Sequence, residues 1–127
     1  MIKGDNMKKK ILIVEDEPNI ANAERIILEE DYEIYIASDG EQGLAMAKKI
    51  KPDLIVLDLM LPNRGGYDIS FNLRQNKEMH NTKILMVTAL NQPIDKSKGV
   101  MVGTDAYMTK PFEASDLLNN VKKLLND

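Results

Sequence analysis

Two kinds of block alternate along the chain. Short apolar runs, several rich in β-branched residues, are "KILIV" (Lys10–Val14), "DLIVLD" (Asp53–Asp58), "KILMVTA" (Lys83–Ala89) and a brief "AYMT" (Ala106–Thr109). Runs of this length and composition read as strands buried on both faces. "YEIYIA" (Tyr32–Ala37) differs, because Tyr32, Ile34 and Ile36 alternate with Glu33 and Tyr35. That alternation suits an edge strand.

Between these runs the apolar residues fall at helical spacing. "EDEPNIANAERIILEE" places Pro18 near a helix start and Ile20, Ala23 and Ile27 along one face. "SDGEQGLAMAKKI" begins a helix near Ser38 or Asp39 and carries Leu44, Ala47 and Ile50. "YDISFNLRQN" follows a glycine-rich loop, and "PIDKSKGVMV" predicts a short helix. "SDLLNNVKKLL" closes the series with Leu117, Val121 and Leu124 on one face and Leu118 and Leu125 beside them. Five strands alternating with five helices predict an α/β fold, a doubly wound parallel sheet with helices on both faces. Open sheets of this kind bind ligands at the carboxyl ends of their strands.

That edge collects polar residues the pattern does not otherwise explain. The first strand ends in Glu15 and Asp16, the third in Asp58, the fourth in Thr88, and the fifth in Lys110 before Pro111. With the first and third strands side by side, three carboxylates converge, which is costly without a cation. The donors are all oxygens, with no cysteine and no nearby histidine. Such a set points to Mg²⁺ or Mn²⁺ rather than zinc. Lys110 adds an ammonium and Thr88 a hydroxyl. A metal, an ammonium and a hydroxyl around one carboxylate form a phosphoryl-transfer site, with Asp58 as nucleophile. Each residue alone has a plainer reading as a helix cap, a strand residue or an exposed lysine of little weight in stability. Their joint placement on four strand ends favours the chemistry.

Composition narrows the picture further. The 127 residues make one domain, read as a lead-in over 1–8 and a folded unit over 9–127. A formal net charge of −3 supplies no basic field for nucleic acid or an anionic membrane. The run Ile11–Val14, closed by Glu15, is too short for a signal-peptide core, and no run nears the roughly 18 residues of a membrane span. A cytoplasmic protein without direct nucleic-acid or membrane binding is expected.

The ordered motifs resemble the receiver domain of bacterial two-component response regulators. The matching residues are Glu15–Asp16, Asp58 with "DLMLPNRGGYD", Thr88–Ala89, Gly103 and Lys110–Pro111–Phe112. The resemblance runs from about Lys9 to Leu125. It implies a flavodoxin-like (βα)5 sheet of strand order 2-1-3-4-5. It also implies that Asp58 accepts a phosphoryl group from the phosphohistidine of a sensor histidine kinase or phosphotransfer protein. Asp16, Asp58 and the Met60 carbonyl would hold Mg²⁺, with Glu15 acting through water. Lys110 and Thr88 would bind phosphoryl oxygens, Ala89 would leave room, and Tyr107 would turn inward as Thr88 moves. The effector would dock on the last two helices and fifth strand. The module would signal rather than act as an enzyme.

The chain departs from relatives that dimerise through this face. It has Ala106 after Asp105, and Asn119 and Asn120 where those carry arginine. Dimerisation of that type is therefore not expected, which favours a stand-alone relay, with a receiver excised from a longer regulator as the other reading. Met60 and Leu90 are expected to cover the phosphoryl group and slow its hydrolysis. A haloacid-dehalogenase-like phosphatase is the alternative, but it needs a second Asp where Met60 stands. A flavodoxin-like electron carrier would need a hydroxyl-rich phosphate loop where "EDEPN" stands.

Overall fold

The structure, a computed structural model, describes residues 8–89 and 95–127. The strands are β1 (Lys10–Val14), β2 (Glu33–Ala37), β3 (Leu54–Asp58), β4 (Lys83–Ala89) and β5 (Ala106–Lys110). They form one sheet in the order β2-β1-β3-β4-β5, with every pairing parallel. The alternating strand is indeed at an edge, although it begins at Glu33 rather than Tyr32. The helices are α1 (Pro18–Leu28), α2 (Gly40–Ile50), α3 (Gly66–Arg74), α4 (Lys96–Val102) and α5 (Ala114–Leu125). A single 3₁₀ turn, Lys77–Met79, links α3 to β4. Of the segment predicted as the fourth helix, Pro93 and Ile94 lie outside the described residues.

Alternate strand residues feed two cores, one on each face. Ile11, Ile13, Leu54, Val56, Leu85 and Val87 pack against Ala21, Leu28, Leu117, Val121 and Leu125 of α1 and α5. Leu12, Val14, Ile55, Leu57, Ile84 and Met86 pack against Leu44 and Ala47 of α2 and Ile69 and Leu73 of α3. Each fully buried aliphatic side chain contributes roughly 1.5–3 kcal/mol, so the central strands have little freedom to slip.

Local signals set the helix ends. Pro18 opens α1 where its missing N–H costs nothing. Asp39 caps α2 by accepting from the Gln42 N–H at 2.8 Å, and Gln42 Oε1 accepts from the Ser38 N–H at 2.7 Å. Asp95 caps α4 by accepting from the Lys98 N–H at 3.0 Å. Gly103 ends that helix in the left-handed region at φ 82°.

One face was misplaced by the sequence pattern. α1 buries Ala21, Glu24 and Leu28, while Ala23 is exposed and Ile20 and Ile27 are half-buried. The true stripe has a carboxylate in its middle, and this hid it.

Candidate functional site

The parallel register brings the strand ends together. Val14 pairs with Leu57 and Asp58 with Val87, so Glu15 and Asp16 follow β1, Asp58 ends β3, and Thr88 is the last residue but one of β4, which runs one residue beyond the predicted end. One carboxylate oxygen from each of Glu15, Asp16 and Asp58 lies within 4.8 Å of the other two. Glu15 and Asp58 are buried, at 3% and 7% exposure, and Asp16 faces solvent. Lys110 reaches across from β5. Its Nζ donates to Glu15 Oε1 at 2.6 Å and lies 3.6 Å from Asp58 Oδ2. The Met60 N–H donates to Asp58 Oδ1 at 3.2 Å, and the Glu17 N–H to Glu15 Oε2 at 3.1 Å.

The electrostatics follow from partial burial. Burial raises the pKa of Glu15 and Asp58, and the Lys110 ammonium pulls both back only in part. Burial alone would lower the pKa of Lys110. The hydrogen bond to Glu15 and the surrounding carboxylates reverse this and hold it above its ordinary value. One ammonium thus faces three acidic groups. The donor set is hard oxygen throughout, which fits a small divalent cation. The three carboxylates are the residues that could hold one.

Lys110 is not the exposed strand-end lysine that the sequence suggested. Its side chain is only 18% exposed, because it lies across the cluster rather than projecting from the edge. Thr88 is fully buried, and its hydroxyl has no hydrogen-bond partner among the described residues. Tyr107 stands apart from the cluster, half-buried on the α3 and α4 side, and its hydroxyl is likewise unpartnered. Met60 projects at 60% exposure and lines a surface cleft with Gly65, Gly66, Tyr67 and Lys98. Leu90, expected beside it, lies outside the described residues.

Asp105 immediately precedes β5. It accepts from Arg74 Nη2 at 2.8 Å and from the Ile84 N–H at 2.7 Å. Its carboxylate is engaged within the chain.

Glu24 is a polar residue beside the site that the sequence pattern missed. It is 1% exposed in α1, and neither carboxylate oxygen has a hydrogen-bond partner among the described residues. Burial first, then the nearby Glu15 charge, push its pKa up to about 8. A charged residue at the centre of an otherwise apolar i, i+3, i+7 stripe was the available signal.

Comparison with known proteins agrees with this geometry. Residues 11–122 match the response regulator receiver domain family. The chain is 46% identical over 120 residues to the alkaline phosphatase synthesis transcriptional regulatory protein PhoP of Bacillus subtilis, covering 94% of this chain and 49% of that protein. It is 42% identical over 117 residues to the DNA-binding dual master transcriptional regulator RpaA of Synechocystis, covering 91% and 48%. The chain therefore spans about half the length of these curated relatives. Among solved structures, chemotaxis protein CheY4 of Vibrio cholerae superposes with a TM-score of 0.87 at 31% identity, covering 93% of this chain and 99% of that one. A CheY-like receiver domain protein from Methanospirillum hungatei gives 0.86 at 32%, covering 94% of each. No helix among the described residues is long and apolar enough to cross a membrane. The strand order, the acidic cluster with its bridging lysine and these matches place the chain in the receiver-domain family of two-component response regulators.

Proposed function

We propose that Asp58 is the phosphoacceptor of this receiver, taking its phosphoryl group from a phosphohistidine of a sensor histidine kinase or phosphotransfer protein. The observation that carries the reading is the convergence of Glu15, Asp16 and Asp58, with the Lys110 ammonium bridging Glu15 and Asp58. In the step itself, an Asp58 carboxylate oxygen attacks phosphorus. The phosphorus–nitrogen bond of the donor breaks, and its electron pair leaves with the histidine nitrogen. An acyl phosphate remains on Asp58.

Asp16, Asp58 and the Met60 carbonyl would hold Mg²⁺ or Mn²⁺, with Glu15 acting through water. When bound, that cation supplies the positive charge that lets an anionic donor approach three carboxylates. Lys110, 3.6 Å from Asp58, would bind one phosphoryl oxygen. The Thr88 hydroxyl, without a hydrogen-bond partner among the described residues, would be satisfied by a second phosphoryl oxygen. Moving Thr88 would shift the balance of Tyr107, and the face of α4, β5 and α5 would read out the change. The chain acts as a signalling acceptor, with only self-phosphorylation and slow self-dephosphorylation as chemistry. The names of the longer relatives favour an output in gene control, and the stand-alone relay is the other reading of the whole protein.

The test is incubation with acetyl phosphate and Mg²⁺, followed by mass measurement. The protein should gain the mass of one phosphoryl group, and both Asp58→Asn and EDTA should abolish the gain. Labelling of Asp58→Asn to the same extent as the parent would overturn the assignment.

A further inference from the structure

Gly99 sits inside α4, and its N–H donates to the Asp95 carbonyl at 3.0 Å as in any helix. No unusual dihedral calls for glycine here, since among the described residues the glycine of positive φ is Gly103. A glycine within a helix costs roughly 0.5–1 kcal/mol relative to alanine. What Gly99 leaves room for is Tyr107. A Cβ at position 99 would lie 1.4 Å from the Tyr107 hydroxyl oxygen and 2.5 Å from its Cζ. Both separations are far inside van der Waals contact, so no side chain at 99 fits while the ring holds this place.

The Tyr107 hydroxyl completes no hydrogen bond of good geometry among the described residues. It is buried, and the Tyr67 and Thr104 hydroxyls approach without completing a hydrogen bond of good geometry. Burial pushes its pKa up to about 12. The ring is held by shape and apolar contact, while its hydroxyl would do better in water.

We propose that Gly99 is the positioning residue for Tyr107: by omitting a side chain, α4 provides the seat that holds the ring inward, and position 99 sets how the ring divides between buried and exposed placements. The seat stands on contacts alone, and its part in signalling rests on the receiver reading above.

Three measurements test this. The first is ¹³C NMR of labelled tyrosine, with the Tyr107 signal assigned by Tyr107→Phe. In Gly99→Ala the Tyr107 pKa should fall from about 12 toward the ordinary 10, with a solvent-like chemical shift. An unchanged titration in a folded Gly99→Ala protein would overturn the seat. The second is urea denaturation of a double-mutant cycle, which remains informative if Gly99→Ala folds poorly. Gly99→Ala should destabilise the parent but stabilise a Tyr107→Ala protein, where alanine's helix preference acts unopposed. A loss of equal size in both backgrounds would overturn the proposal. The third is the response to beryllofluoride with Mg²⁺, followed by the same Tyr107 signal. The parent should respond, and Gly99→Ala should start from the exposed position and respond less. An equal response would remove position 99 from signalling. A parent that fails to respond would contradict the receiver reading, while the titration and the cycle still decide the seat.

Discussion

The two sides of the strand-end edge solve the problem of buried polar groups in opposite ways. At the ends of β1, β3 and β5, Lys110 sits between Glu15 and Asp58, and backbone N–H groups serve the remaining oxygens. Toward α4, the buried hydroxyls of Thr88, near the end of β4, and Tyr107, further back on β5, have no hydrogen-bond partner among the described residues. The first arrangement fixes charge, because moving any member strands an ion in a poor solvent. The second leaves slack, because an unpaired hydroxyl loses no bond when it moves. A phosphoryl group arriving at Asp58 would meet a rigid charged floor and a neighbour ready to shift. The difference separates what binds from what responds.

The largest expected effect comes from breaking the rigid side. Lys110→Ala would leave Glu15 and Asp58 buried without their ammonium. A stability loss of about 3 kcal/mol at pH 7 is expected, typical of removing one partner of a buried pair. The loss should shrink at lower pH, because both carboxyls have raised pKa values and take up protons readily. Mg²⁺ should restore part of it, since a cation that binds only the folded state adds stability by mass action. Urea denaturation with and without Mg²⁺ measures both. A variant within about 0.5 kcal/mol of the parent, as expected of an exposed surface lysine, would contradict the contrast drawn here.

The burial of Lys110 shows where sequence reasoning stops. The strand ends were legible because apolar runs and their polar terminators are local features. The edge position of β2 was legible from the alternation of Ile34 and Ile36 with Glu33 and Tyr35. How far Lys110 folds over the cluster depends on β5 lying beyond β4, two strands from Asp58. The Gly99–Tyr107 contact likewise depends on how α4 settles over the sheet. The face of α1 was read one position away because Glu24 carries a charge that burial then suppresses. Long-range packing decided each of these, and no spacing within a single segment records it.

Glu24 is the exception that sharpens the comparison, since it is a carboxyl treated as the hydroxyls are. Its pKa rises from 4.5 to about 8. Folding at pH 7 therefore requires it to take up a proton, at about 1.36 kcal/mol per pH unit above its unfolded pKa. The folded state binds more protons than the unfolded one between these two values. The stability contributed is thus full below pH 4.5 and declines as pH rises to about 8. Glu24→Leu should remove that decline and stabilise the protein by roughly 3 kcal/mol at pH 7. Denaturation midpoints from pH 5 to 9 give the answer. A variant that keeps the parent's slope, or is no more stable at pH 7, would show that Glu24 finds a partner in solution.

The smallest effect is expected at the lip between the two sides. Met60 follows the Asp58 strand, is 60% exposed, and lines the cleft that reaches Tyr67 and Lys98. It supports neither core, so Met60→Asn should alter stability by less than about 0.5 kcal/mol. Its backbone N–H still donates to Asp58, because that bond does not involve the side chain. What changes is access. On the proposed reading, a flexible apolar side chain beside Asp58 would keep water from the line of attack on phosphorus, and a short amide would invite it. A barrier lower by about 1 kcal/mol would speed phosphoryl loss about fivefold. The measurement is release of phosphate from the isolated phosphoprotein, compared with the parent at equal Mg²⁺. Faster loss at unchanged stability would show that the lip sets timing apart from the charged floor and the unpartnered hydroxyls. An equal or slower rate would assign timing to those two regions instead.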